Sequence, residues 1–469
     1  MNQRIRAVFR ANVSPVVLAA LALLLHTGAA ADTDQTTLVH PPFGHCLGIT
    51  RVTSFHLFLH LGGRTRFDEP AGITAVKLKS KDDPSTPHDD DELTVFGLNS
   101  GRSELIYNTS LYAADIYGSP GSGPGSFRNP LDVAADERGN VFVADTGNDR
   151  IVRLAYEDDT LRYVRSFGTR GPGEREFFAP EGVALGASGT VYVADTGNDR
   201  VVLMSGAGAH ESAFTKDTSG VVLLDAPRGI DAVEADDPWI ARRLEFIAVT
   251  DRGGGRLTTF GRDGRLLASV TVEELPVPGA SLGDVAIDYY GNVYAVDRGL
   301  GAVHKFDAGL AYVTTFGSSG TGEGEFDEPR GITIWRRFGQ IFVTERAGAQ
   351  YYWIGTDIED PALEPQPVVP GEPSRIRYRL TEVSRVTAEI LDDDGDIVHT
   401  LFSNRRRAVG VTAERWDGSL GRSGAFVAPG RYTLRLRARP TYSSGQYFED
   451  VTELRFTVQE RPEENAGGR

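Results

Sequence analysis

Few residues in this 469-residue chain stand where chemistry would need them. Twice an acid, Thr-Gly-Asn, a second acid and an arginine run together, as Asp145-Thr-Gly-Asn-Asp-Arg150 and Asp195-Thr-Gly-Asn-Asp-Arg200. Such a run could hold an ion, but a turn accounts for it more simply. An Asp that ends a strand accepts backbone N–H bonds, Asn and Gly tolerate positive φ, and an arginine five residues on can pair with a neighbouring unit. Asp392-Asp-Asp-Gly-Asp396 is similar to a calcium loop, but it lacks the following bidentate Glu and its Gly falls early; a hairpin turn fits equally well. Calcium is the one ion left open. The nine histidines form no metal signature: His56 and His60 alternate along one segment, while His304 and His399 stand alone. No Gly-x-Ser-x-Gly elbow or phosphate loop occurs, and Cys46, the single cysteine, reads as a buried thiol with no disulfide partner.

The elements that must position these residues repeat. Val141-Phe-Val-Ala-Asp-Thr-Gly-Asn-Asp-Arg150 recurs as Val191-Tyr-Val-Ala-Asp-Thr-Gly-Asn-Asp-Arg200, and Phe67-Asp-Glu-Pro-Ala-Gly-Ile-Thr74 as Phe326-Asp-Glu-Pro-Arg-Gly-Ile-Thr333. The unit's proline position falls at Pro70, Pro130, Pro180, Pro227, Leu282 and Pro329, and the acid closing its second strand at Asp145, Asp195, Asp251, Asp297 and Glu345, with Asn99 in the first unit. Each unit has four stretches of period-2 alternation, in the second unit 131–135, 140–145, 151–156 and 163–167. Four antiparallel strands every ~50 residues predict the blades of an all-β, six-bladed β-propeller. One blade cannot bury both faces, so the blades must close into a ring. The last unit lacks an outer strand, and residues 55–62, alternating before the first unit, are expected to supply it. The first unit carries an acidic insertion at 82–92, expected to be a solvated loop, and the fourth about nine extra residues around Trp239.

Composition agrees with an all-β chain: 54 glycines, two methionines and 40% hydrophobic residues. Residues 1–31 read as an export signal, with basic Arg4, Arg6 and Arg10, an apolar run at 16–25, and Ala29-Ala30-Ala31 before Asp32. From Asp32 on, 46 basic residues face 65 acidic ones, a net charge of −19. That field opposes nucleic acid and anionic membrane. No later segment is apolar enough to span a bilayer, so the expectation is a monomer that is secreted, at the cell surface or periplasmic, with residues 32–54 as an N-terminal extension.

The repeats resemble the NHL family, whose unit looks like Pro-x-Gly-Val-Ala-Val-Asp-x-x-Gly-Asn-Val-Tyr-Val-Ala-Asp-Thr-Gly-Asn-x-Arg-Ile. The runs from Pro130 to Ile151 and from Pro180 to Val201 carry this over a propeller at 55–358; Ala302 and Gln350 depart from the arginine of Arg150, Arg200 and Arg256. The family's topology implies that the variable residues beside each inner strand's start ring one mouth of a central channel. They are Ala71, Leu131, Glu181, Arg228, Gly283 and Arg330, with Asp132 and Asp284 adjacent. Asp132, Glu181, Arg228, Asp284 and Arg330 are the candidate ligand-binding residues. Related propellers include metal-dependent lyases and gluconolactonases, but neither their histidine patterns nor their Glu/Asn/Asp calcium set can be assembled here. RNA binding, known for some NHL propellers, would need a basic face.

Five prolines at 361, 365, 367, 370 and 373 predict an extended linker over 359–373. Alternating strands at 376–380, 386–391, 397–401, 411–416, 430–438 and 452–458 predict a β-sandwich at 374–460, with 461–469 a disordered tail. Asp392-Asp-Asp-Gly395, Trp416-Asp-Gly418, Gly424 and Ala428-Pro-Gly-Arg-Tyr432 resemble the FlgD-type immunoglobulin-like module of exported bacterial proteins. The resemblance implies an accessory, surface-associated role. The expected function is non-enzymatic: the propeller engages a protein or glycan partner and the sandwich docks to the cell envelope or a secretion apparatus. The alternative is a metal-assisted lyase or lactone hydrolase in the channel.

Overall fold

A computed structural model describes residues 35–46, 48–82, 93–110, 113–215, 224–421 and 425–461. The expected export signal, nearly all of the acidic insertion, Gly424 and the tail beyond Arg461 lie outside them. Period-2 alternation becomes a series of antiparallel sheets. The second sheet, for example, comprises Asp132–Ala135, Asn140–Asp145, Arg150–Glu157 and Thr160–Phe167 in that order from the inside. Equivalent sheets begin at Pro70–Lys77, Gly182–Leu185, Ile230–Val233, Val285–Ile287 and Ile332–Trp335. These six inner strands touch in cyclic order, the last against the first, forming a β-propeller. Side chains from facing sheets interdigitate; between the first two they include the buried Phe96, Leu98, Leu105, Val141, Val143 and Leu154. Each such burial contributes about 1.5–3 kcal/mol.

The repeated motif is indeed a turn device. Asp145, fully buried, accepts from the Arg128 N–H at 2.7 Å, Asn148 Nδ2 at 2.8 Å and Arg150 Nε at 2.7 Å. Asp195 repeats this with Phe178, Asn198 and Arg200. The arginine thus pairs within its own unit, contrary to the neighbouring-unit expectation, because Asp145 and Arg150 are register partners across one hairpin. The bond to the next sheet comes from a hydroxyl instead: Thr146 donates to the Pro180 carbonyl at 2.7 Å and Thr196 to that of Pro227 at 2.6 Å. Ser100, Thr250 and Thr344 make the corresponding bonds to Pro130, Gly283 and Ala71, the last across the seam of the ring. In two of the three units that lack the arginine, His304 Nε2 lies 3.1 Å from Asp297, and both Gln350 and Arg51 reach Glu345.

Two boundaries differ from expectation. The sixth sheet is completed by Leu38–Val39 and Arg51–Thr53, both antiparallel to Gly348–Ile354, so residues 32–54 are not a mere extension. Residues 55–62 are not the closing strand. Ser54–Leu61 is a helix that buries Leu57 and Leu61, one turn apart, with the Thr53 N–H donating to His56 Nδ1 at 3.0 Å and Gly62 ending it at φ 59°. The proline-rich stretch is not a free linker either. Ile358–Glu364 pairs with Ser374–Leu380 as the edge of a three-stranded sheet, with Pro361 inside a register shift, where a missing N–H costs no ladder bond.

That sheet and a four-stranded one, in the order Ile397–Arg407, Ser384–Leu391, Gly430–Pro440, Asp450–Val458, enclose a core of Val368, Ile376, Tyr378, Val386, Leu434 and Phe456. The sandwich is packed directly on the propeller. Lys305, from the fifth sheet, forms a buried ion pair with Glu382, and the Tyr442 hydroxyl accepts from the Tyr289 N–H at 3.0 Å.

Candidate functional site

All five sequence-predicted residues, Asp132, Glu181, Arg228, Asp284 and Arg330, line one cavity of about 400 Å3 at the channel mouth where the inner strands begin. They arrive there because each sits at or beside the first inner-strand position of its own sheet. Much of their charge is engaged. Glu181 pairs with Arg228 at 3.3 Å, and Arg330 reaches both Glu69 and Glu328. Burial raises the Glu181 carboxyl, with Arg228 partly opposing; the Arg330 hydrogen bond holds Glu69 low.

Asp132 and Asp284 lie deeper, at the waist between this mouth and a second chamber of about 350 Å3 at the opposite end. Each braces the next sheet: Asp132 Oδ2 accepts from the Val183 N–H at 2.8 Å, and Asp284 Oδ2 from the Ile332 N–H at 3.0 Å. Asp284 retains some accessible surface only because the channel reaches it. Desolvation in this protein-walled space raises it to about 7, and pushes Asp132 well above the ordinary carboxylate range, with the charge of Asp284 adding to the rise. A carboxyl raised to about 7, as in Asp284, can donate a hydrogen bond or exchange a proton with a bound group.

Sequence reasoning missed several residues. Arg298 occupies the position of Thr146 and Thr196; it makes no hydroxyl bond to the next sheet and instead pairs with Glu328 at 2.7 Å in the same mouth. Asp231, two positions further along its strand than Asp132, faces the second chamber and receives the Ile287 N–H at 2.8 Å. Arg336 holds Asp231 at 2.9 Å and Asp237 at 3.1 Å, while Trp239, on the fourth unit's extra residues, and Trp335 line the same chamber. The signal was available: each of these breaks the repeat. Among the described residues, no group of three or more His, Cys, Asp or Glu is placed to hold a metal ion. Cys46 is buried, and burial raises its thiol.

Residues 127–154 match the NHL repeat. No curated protein matches the chain. Among solved structures, virginiamycin B lyase from Staphylococcus aureus is similar at 13% identity and TM-score 0.39, over 55% of this chain and 76% of that one. A protein of unknown function from Bacteroides thetaiotaomicron aligns at 14% identity and TM-score 0.44, over 62% and 70%. A gluconolactonase from Xanthomonas campestris aligns at 14% and 0.42, over 65% and 94%. Likeness at this level transfers no activity.

Proposed function

We propose that this is an exported, non-enzymatic binding or scaffold protein. Its NHL-type propeller, read as six-bladed, engages a protein or glycan partner through the mouth lined by Asp132, Glu181, Arg228, Asp284 and Arg330. Its FlgD-type sandwich docks to the cell envelope or a secretion apparatus, on the surface or in the periplasm. The observation that carries the reading is the convergence at one mouth of charged residues that the repeat does not require, since features needed once per blade are architecture. The direct packing of the sandwich on the propeller supports a scaffold role, because a load on one part passes to the other. Net acidity and the basic, apolar N-terminal segment support export and oppose nucleic acid as partner.

A metal-assisted lyase or lactone hydrolase in the channel is the second reading, favoured by the raised carboxyls of Asp132 and Asp284. Elemental analysis of the dialysed chain from Asp32 separates the two. One equivalent of calcium or zinc, lost in D132N/D284N, would favour the enzyme and warrant lactone and peptidyl-lyase assays. Substoichiometric metal favours the scaffold.

A further inference from the structure

The outer face of the sandwich's four-stranded sheet carries a charge opposite to the rest of the chain. Residues 374–461 hold fifteen arginines against twelve acids, in a protein whose net charge is −16. Along Gly430–Pro440, Leu434, Leu436 and Ala438 enter the core, while Arg431, Arg435, Arg437 and Arg439 face outward. Arginines two apart on a strand recur every ~6.8 Å. On the adjacent strand, Arg385 lies opposite Arg439 on one side and opposite Arg406 on the other.

Three arginines therefore occupy a single cross-strand row, with neighbouring Cα atoms ~4.5–5.5 Å apart. Like charges so placed repel, and the core beneath does not need them. Neutralisation is incomplete. Arg439 pairs with Glu449 at 2.7 Å and Arg406 lies over the Tyr290 ring at 5.4 Å, but Arg385 has no ion pair among the described residues. Further out, Arg435 pairs with Glu453 at 2.7 Å and Arg437 with Glu389 at 3.5 Å, while exposed Arg455 has no ion pair among the described residues.

We infer that this arginine plate binds an acidic glycan, one that carries carboxylates at intervals along its chain. Guanidinium forks grip carboxylates with two parallel hydrogen bonds. One exposed pair contributes little, but a flat array engages a polymer at several points at once, and the contributions multiply. The inference deepens the docking role proposed for the sandwich and rests on it for its cellular meaning.

The test is fluorescence anisotropy of labelled polygalacturonate with the chain from Asp32, at low and at physiological salt. Saturable binding that weakens with salt is expected. R385Q/R437Q/R455Q, exposed at 385 and 455 and half-buried at 437, should lower affinity at least tenfold with an unaltered circular-dichroism spectrum, while R375Q/R415Q on the other sheet should not. No binding at low salt, equal affinity in the triple variant, or equal affinity for single-stranded DNA of the same charge would overturn the inference. So would self-association of the chain that the same three changes abolish. Attachment to isolated cell envelopes is scored separately: polymer binding without attachment removes the docking role and leaves this site standing.

Discussion

Lys305→Met tests the junction between propeller and sandwich. Lys305 is 1% exposed and Glu382 fully buried, so neither charge can turn to water. The ammonium also lies 4.9 Å from the Tyr294 ring centroid, and the Glu382 Oε1 accepts the Val383 N–H at 2.6 Å. Methionine fills the lysine's volume but leaves Glu382 without a cation beside Asp288, whose carboxyl burial and Glu382 already raise to about 7. Breaking a buried pair from one side costs about 3–5 kcal/mol, whereas removing both charges is nearly neutral. The assay is urea unfolding followed by tryptophan fluorescence, in which Trp353, 5.8 Å from the Tyr447 ring of the sandwich, reports the junction. K305M should lose about 3–5 kcal/mol. K305M/E382Q should recover most of the loss. A single-variant loss below about 1 kcal/mol, or a double variant equal to the sum of the singles, would refute a coupled buried pair at this junction.

Three further outcomes follow from the same geometry. Arg150→Ala leaves Asp145 buried with its charge uncompensated and should cost about 3–5 kcal/mol, whereas Arg298→Ala, at an exposed pair, should cost under about 1 kcal/mol in the same unfolding assay. Asp284 and Asp288 bind protons more tightly folded than unfolded, so their contribution to stability is fully present below the unfolded value near 4 and is lost as pH rises through about 7. D284N, in which the amide oxygen can still accept the Ile332 N–H, should flatten the melting-temperature profile over that window; an unchanged slope would show that Asp284 is not raised. Leu57→Ala and Leu61→Ala should each destabilise by about 2–5 kcal/mol, because both side chains are buried beneath the N-terminal helix, while Phe58→Ala, on its exposed face, should change stability little.

The repeat was legible because the acid closes the second strand of five sheets, with Asn99 in the first, and a hydroxyl bonds the next sheet from five, with Arg298 the exception. The mouth was legible for the same reason in reverse: Glu181, Arg228 and Arg330 stand where the repeat leaves residue type free. What escaped was local ambiguity. In residues 55–62 the apolar Phe55, Leu57, Leu59 and Leu61 alternate like a strand, yet Leu57 and Leu61 are also one helical turn apart; Gly62 and the Thr53–His56 bond decide for the helix. The prolines at 361, 365 and 367 suggested a spacer because proline cannot sit in a central strand, but an edge strand with a register shift accepts it. Asp231, Arg336 and Trp239 stand out as breaks in the repeat, but they come from different sheets, and only ring closure shows that they share one chamber.

The central claim is that the channel mouth recognises an envelope partner through its charge pattern. Glu181→Arg combined with Arg228→Glu tests it most directly, since the swap keeps an ion pair between the two positions and inverts the field they present. The measurement is binding of the chain from Asp32 to isolated cell envelopes, with R385Q/R437Q/R455Q in both proteins so that the sandwich's arginine plate does not contribute. The account predicts saturable binding by the unswapped chain and its loss in the swapped one at unchanged melting temperature. Equal binding by the two chains, or none by either, would contradict it.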